Sequence, residues 1–353
     1  SYGPADLKKL QNENKIWKTV DIYRSQLSEL YEIEHPRTRL SQTFELQKEK
    51  YLKNLLGSGE AKVLGNWVYY PWNGYLVHTV TEEDYTQLRT NRNRNLITQQ
   101  EQKKLLAACV GFAGLSVGYH FAAGMTYNGI ASSMKLAEFD ILETSNLNRF
   151  KGGLKDIGLK KIELVSQQIY ETNPYAKLFL FPDGVNDTNL TDFMTASPKP
   201  RIVFEMIDDF KQKIKIRIQA RKAKVPIIMI THLADSVLVD IERYDQNLNL
   251  PLFNGKIGNT PEEILEANIT ERDKADYAMK IVGAENVNSK IIESLSQINK
   301  TLVGRPQLYG TVTVGGGIAT YLARKILLDE SVPSCRKLFK FDQIIENTNI
   351  GKM

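Results

Sequence analysis

The run Val110-Gly111-Phe112-Ala113-Gly114-Leu115-Ser116-Val117-Gly118 places small residues where an apolar strand passes into a helix. Glycines at such a turn let the backbone come close to a phosphate. The free N–H groups and positive dipole end of the helix then favour negative charge. Gly111, Ala113 and Gly114 are therefore candidate phosphate-binding positions, although close strand–helix packing without a ligand produces the same pattern. Glu138 ends the next apolar run, near the offset of about 20 residues at which an acid accepts ribose hydroxyls, and Asp140 follows it. To this point the chain suits an NAD-binding oxidoreductase as well as an enzyme using ATP. Next come Asp140-Ile141-Leu142-Glu143-Thr144-Ser145-Asn146-Leu147-Asn148-Arg149-Phe150, then Ile157-Gly158-Leu159-Lys160-Lys161, then Asn173-Pro174. A later apolar run, 202–206, leads into Ile207-Asp208-Asp209-Phe210. One at a time, Arg149 and Lys161 read as surface cations and Asp208 with Asp209 as a helix cap and first-turn acid. Their shared order along the chain sets them apart.

These groups need elements to hold them. Residues 1–60 are polar, and 41–56 read as a helix with Ser41 as N-cap and Leu46, Leu52 and Leu56 inward. Two aromatic, β-branched runs, 63–70 and 75–80, flank Pro71-Trp72-Asn73-Gly74, a strong hairpin signal. From about Leu105 onward, apolar strands alternate with amphipathic helices. Strands are expected at 105–110, 130–137, 178–181, 202–206, 226–230 and 237–244, with helices at 115–123 and 157–170. Residues 213–219 fit a strand by alternation and a helix by the spacing of Phe210, Ile214 and Ile218. A crossover between parallel strands requires the helix. Residues 262–299 are mostly helical, and 311–314, a Gly triplet and a helix at 319–328 close the domain. The order predicts an α/β fold: a mostly parallel Rossmann-like sheet with helices on both faces, preceded by a helical segment and a β-hairpin. Expected boundaries are 1–90, 91–330 and a tail at 331–353.

Here the chain resembles the ThiF/MoeB/ubiquitin-activating family. That family reads strand, acid, x, Asp, a Ser-Asn-Leu-x-Arg run, Gly-x-x-Lys opening a helix that ends near Asn-Pro, and a later strand ending in Asp-Asn. The likeness runs from about Arg92 to Asp245 and more loosely through 315–328. It implies ATP-dependent adenylation of a carboxylate with release of pyrophosphate. Glu138 would take the ribose, with Asp140 beside it. Asn146 and Arg149 would face the triphosphate, and Lys161 would bind phosphate as a point charge. Asp208 would organise magnesium (Mg2+). Arg94, with Arg92 second, matches an element that reaches over the γ-phosphate, often from a partner subunit, so a homodimer is expected. Ala113 and Ser116 depart from the family's Gly-x-Gly-Gly-x-Gly turn, and Ala113 would bring a methyl near the phosphates. The turn, the Tyr-Pro-Trp hairpin and the Arg-Asn-Arg element are most similar to the adenylation half of bacterial ThiF–nitroreductase fusion proteins. A start without Met suits an excised piece.

Composition narrows the rest. The net charge of +5 suits an anionic ligand without requiring nucleic acid, and the basic stretch 211–224 reads as a solvated face before it reads as a phosphate patch. No apolar run reaches the roughly 18 residues of a membrane span. With two cysteines and no CxxC pair, a reducing cytoplasm is favoured and no zinc site is expected. Cys109 reads as core. Cys335 reads first as a plain surface or packing cysteine, although the adjacent Arg336 could lower its pKa. No Cys lies between Leu233 and Arg305, where relatives that activate ubiquitin carry a catalytic thiol. His232 ends a strand on the ligand-binding side of the sheet, and it reads as a satisfied strand-end histidine before it reads as a site residue. The substrate stays open among a ubiquitin-like protein or peptide tail, a small acid and an RNA-attached carboxylate as in the threonylcarbamoyladenosine dehydratases. A catalytically weak nucleotide-binding member of the fold is a further alternative.

Overall fold

In the first hundred residues, short β-branched runs and polar helices leave room for a small core. The computed structural model describes residues 4–13, 15–57, 64–258, 261–267 and 269–346. The chain divides into two units, 1–102 with 173–175, and 103–172 with 176–353. The first holds α1 (Pro4–Asn12), β1 (Lys18–Asp21), α2 (Tyr23–Glu34), α3 (Phe44–Leu56), β2 (Asn66–Tyr70), β3 (Tyr75–Thr79) and α4 (Glu82–Thr90). β2 and β3 form the expected antiparallel hairpin, turning through Gly74 at φ 69°. The short β1 adds in parallel to β3, a third strand that the residues did not announce. Tyr23, Leu27, Leu30, Leu52 and Val80 form the core of this unit. α3 starts at Phe44 behind Thr43, later than the expected Ser41. Its inward stripe is Phe44, Lys48 and Leu52, which leaves Leu46 73% exposed. Lys48 buries its stem and reaches Glu32 and Glu45. Val63, expected to open the first hairpin strand, lies outside the described residues.

The division falls within α5 (Gln99–Leu106), 12 residues past the expected boundary at 90 (102 − 90). The second unit then alternates β4 (Cys109–Ala113), α6 (Gly118–Tyr127), β5 (Ser133–Ala137), α7 (Lys161–Thr172), β6 (Lys177–Phe181), α8 (Leu190–Thr195), β7 (Ile202–Glu205), α9 (Phe210–Ala223), β8 (Ile227–Leu233) and β9 (Ser236–Glu242). Helices α10 (Pro261–Glu266), α11 (Glu271–Val282), α12 (Ser289–Gln297) and α13 (Tyr309–Leu327) follow, then β10 (Cys335–Lys340) and α14 (Phe341–Glu346). The sheet order is β10-β9-β8-β7-β4-β5-β6, parallel from β8 to β6, with β9 and β10 antiparallel. The direction of winding reverses between β4 and β7. At such a switch the two crossovers leave on opposite faces and a crevice opens at the strands' carboxyl ends. No helix among the described residues is long and apolar enough to cross a membrane.

Several expectations change. The 105–110 strand is displaced: Leu105 and Leu106 close α5, and β4 runs from Cys109 through Gly111 to Ala113. β6, read as buried, is the sheet's edge, with Leu180 46% exposed. The segment from residue 331, read as a tail, supplies β10, paired along its length with β9. Residues 213–219 are helical, as the crossover requires. The segment read as 311–314, a Gly triplet and a helix at 319–328 is one helix, Tyr309–Leu327, with the Gly triplet inside it. Close packing explains those glycines. A Cβ on Gly315 would lie 2.4 Å from His232 Nε2, and one on Gly316 would lie 2.8 Å from His120 Cβ and 3.0 Å from its carbonyl oxygen. Gly317 faces open space.

Two substitutions should therefore act in opposite directions. Gly316→Ala forces α6 and α13 apart and should cost about 1–3 kcal/mol despite alanine's better helix propensity. Gly317→Ala should gain up to about 1 kcal/mol. Urea denaturation measures both, and a neutral Gly316→Ala would contradict the close packing.

Candidate functional site

The site grows from the contact between the carboxyl ends of β4 and β7. Gly114 takes φ 96°, and a Cβ there would lie 2.8 Å from the Met206 carbonyl oxygen. Only glycine satisfies both the left-handed backbone and the approach. Gly111 and Ala113, expected in the turn, sit inside β4. A Cβ on Gly111 would press on Val203 and Phe193 at 3.0 and 3.1 Å, so this glycine serves packing. The Ala113 methyl joins the apolar cluster of Phe193 and Val203, away from the role feared for it near a phosphate. The turn proper is 114–117.

Glu138, at the end of β5, is 6% exposed. Its Oε2 accepts the Leu115 N–H at 2.8 Å, and its Oε1 accepts the N–H groups of Phe139 and Asp140. The acid thus ties the turn to the neighbouring strand. A carboxylate has about four lone-pair sites, so capacity for a hydroxyl remains. α7 begins at Lys161, later than the expected 157, and that start lets the ammonium reach back to the turn. Lys161 Nζ donates to Ser116 Oγ at 2.8 Å and to Asp140 Oδ2 at 3.0 Å. Ser116, a departure from the family pattern, is what anchors the lysine to the turn. Asn146 is buried, and its Oδ1 accepts the Glu143 N–H at 3.2 Å, capping the short 3-10 turn Thr144–Asn146. Arg149 donates to Asn148 Oδ1 at 2.9 Å and to the Ser145 carbonyl, while its buried Nε has no partner among the described residues. Burial lowers the guanidinium's pKa. The Asp208 charge opposes that shift, and Arg305 adds to it.

Asp208 stands exposed past β7, and its Oδ1 accepts from Arg305 at 2.6 Å. Asp209 caps α9 by accepting the Gln212 N–H at 2.6 Å. Behind them lies a network that the sequence hid. Glu205, fully buried, accepts the Ile207 N–H at 2.9 Å, Lys213 at 2.8 Å and Arg217 at 2.7 Å. Arg217 also donates to Glu242 at 2.7 Å and stacks 3.7 Å over the Phe253 ring. Burial pushes the Glu205 carboxyl up, and Lys213 and Arg217 more than reverse this. Lys215 meets Asp187, and Lys211 and Arg221 donate to backbone carbonyls. The basic stretch 211–224 is thus largely fastening, neither a solvated face nor a phosphate patch.

Arg94 belongs to the first unit, exposed where the 3-10 turn Asn91–Asn93 ends, with Arg92 inside that turn. His120 Nε2 donates to the Arg149 carbonyl oxygen at 2.6 Å. His232 Nε2 has no partner among the described residues, and burial, then His120 and Arg305, push its pKa down to about 4. Cys109 is core, its thiol pushed up to about 11 by burial. Cys335 is a half-buried free cysteine, and the lowering by its neighbour does not occur. Arg336 turns to Asp240 and the Ile281 carbonyl, and burial followed by Asp240 raises the thiol's pKa. Among the described residues no cluster of three His, Cys, Asp or Glu could hold a metal.

Residues 90–350 match the model of the ThiF family. The chain belongs to the ThiF family. An uncharacterized Mycobacterium tuberculosis protein is 34% identical over 270 residues, covering 76% of this chain and 37% of that protein. The tRNA threonylcarbamoyladenosine dehydratase of Escherichia coli is 28% identical over 172 residues, 48% of this chain and 58% of the enzyme. This chain thus spans well under two thirds of either relative. Among solved structures, selenomethionine PaaA superposes with a TM-score of 0.52 at 18% identity, over 85% of this chain and 91% of that one, a likeness of fold. The sequence reading passed over Glu205 and Arg305, whose partners lie far away in the chain, and His120.

In this ThiF-family chain the partly buried His232, whose Nε2 is sealed from solvent, gives a pH signature. Its folded pKa, about 4, lies below the ordinary value of 6.5. Its contribution is present above about 6.5 and lost as pH falls toward 4, by up to about 3 kcal/mol. Asp240, raised to about 6 by burial, works in the opposite sense over the same window. The difference between wild type and His232→Gln isolates the histidine. Unfolding free energies compared from pH 7 to 4 should converge or cross; a constant difference would contradict a neutral ring.

Proposed function

We propose that this chain uses ATP to adenylate a carboxylate. The observation that carries the reading is the Lys161 ammonium, tied to Ser116 in the turn and to Asp140, beside Gly114 at the sheet's switch point. An NAD-dependent oxidoreductase has no use for that lysine, Arg149 and Asp208 together. In the reading, ribose hydroxyls donate to Glu138 beside Asp140. The phosphates lie along the 114–117 turn, between Lys161, Asn146 and Arg149. A carboxylate oxygen of the second substrate attacks the α-phosphorus, the bond to the bridging oxygen breaks, and pyrophosphate leaves with that electron pair. The protein supplies no nucleophile. It aligns two anions and offsets their repulsion with preplaced cations.

Asp208 suits magnesium, because that ion commonly takes one or two carboxylates and completes its shell with phosphate and water. When bound, magnesium would offset charge on the phosphates. Arg94, from a partner subunit of a homodimer, would stabilise the leaving pyrophosphate. The buried Cys109 and the raised Cys335 support passing the acyl-adenylate to an external thiol or amine. The dehydratase among the relatives keeps a small or RNA-attached carboxylate beside a protein or peptide tail as substrate, in the cytoplasm.

Asp208→Ala should abolish ATP–pyrophosphate exchange while circular dichroism stays native, since the exposed aspartate carries no fold; unchanged exchange would sink its role. Arg94→Ala should lower kcat by roughly 10²-fold with a smaller change in ATP affinity, as expected for a donor felt mainly in the transition state. Mixing Arg94→Ala with Asp208→Ala subunits should restore part of the activity, because one site of the heterodimer regains both groups. No recovery in mixtures shown to exchange subunits would place the arginine in its own chain.

A further inference from the structure

Arg305 was given no role by its sequence, and its surroundings give it one. It lies in the strap between α12 and α13, and its guanidinium donates to Asp208 Oδ1 at 2.6 Å. Two further contacts hold the strap at this end of the sheet. Asn148 Nδ2 donates to the Gln307 carbonyl oxygen at 2.9 Å, which fastens the strap to the segment carrying Asn146 and Arg149. Tyr309 sets its ring edge-on to His120, 5.6 Å between centroids, and His120 in turn holds the Arg149 carbonyl. Arg149 feels both the Asp208 carboxylate and the Arg305 cation, so the pair lies within electrostatic reach of the segment carrying Arg149.

We infer that Arg305 is a pyrophosphate-binding residue of this site, parked on Asp208 until a polyphosphate draws it away. This rests on the nucleotide site proposed above. Both side chains of the pair are largely exposed, 54% for Arg305 and 87% for Asp208, and exposed pairs hold weakly. A polyphosphate offers the planar guanidinium two oxygens and more negative charge than a single carboxylate. The exchange has a second effect. An arginine on Asp208 takes up one carboxylate oxygen and offsets the charge that would attract magnesium, so moving Arg305 to the phosphates would leave the acid free to hold the metal. Phosphate charge would thus assemble both halves of the site at once. Arg305 comes from the chain's own strap and differs from Arg94, which was assigned to a partner subunit.

Isothermal titration of the full chain with inorganic pyrophosphate, with ATP and with AMP, each in magnesium, tests this. Arg305→Ala should weaken pyrophosphate and ATP binding by roughly 10-fold or more, the scale of a lost charge-assisted pair, and leave AMP within about twofold. Arg305→Lys, which keeps the charge and loses the fork, should fall between. Arg201→Ala, which removes another exposed arginine paired to an aspartate, Asp329, should change none of the three. Unchanged pyrophosphate affinity in Arg305→Ala, with wild type binding all three ligands, overturns the inference and leaves the nucleotide reading standing. Equal weakening of AMP and pyrophosphate also overturns it, because the residue then merely supports the site. Wild type that binds none of the ligands removes the nucleotide reading and this inference with it.

Discussion

A fully buried guanidinium organises the second unit. Arg217 has no water to hydrate it, so its charge must be met inside the protein. Glu205 and Glu242 meet it from β7 and β9, while Phe253 covers its face. Removing one member would strand the charge of another, so α9, both strands and the loop carrying Phe253 are fixed together. Glu205 also accepts Lys213 and the Ile207 N–H, and the latter bond sets how the chain leaves β7. Gly114 packs on the same exit at Met206. The turn on β4 and the acid beyond β7 are thus two ends of one rigid assembly.

Two cations of the candidate site built on this assembly are each met by an acid. Lys161 rests on Asp140 and Arg305 on Asp208, each cation holding a carboxylate. Lys161 is buried and doubly held, so it is rigid. Arg305 is exposed and held once, so it is the more easily moved. An anionic ligand would therefore meet a fixed charge on the turn side and a movable one on the strap side.

What could be read from the sequence was mostly local. The hairpin at Asn73-Gly74 rests on turn chemistry within four residues. The helical phase of α9 followed from the crossover rule, and the acid at Glu138 from its distance to the turn. Misses arose where distant contacts decide. Leu46 has the same apolar character as Leu52, and only the neighbouring helix selects the inward stripe. The Gly triplet looked like a break, yet the helix runs through it because His120 and His232 fill the space its side chains would need. Arg305 and Asp208 are neighbours only after the sheet has formed. Arg217 sat in a run of cations that looked solvated, and nothing local marks the one whose charge is sealed.

The antiparallel strand β10 covers β9 from Ser236 to Ile241, and β9 is buried from Val237 to Glu242. β10 itself carries Arg336, Lys337 and Lys340, charges of the kind that discourage another chain from adding to an edge. A shorter expression product ending at residue 330 would trade this guarded rim for an unpaired row of Val237, Val239 and Ile241 backbone groups. Its difficulty in the test tube would then be self-association and poor yield, a failure of solubility that could be mistaken for a failure of chemistry.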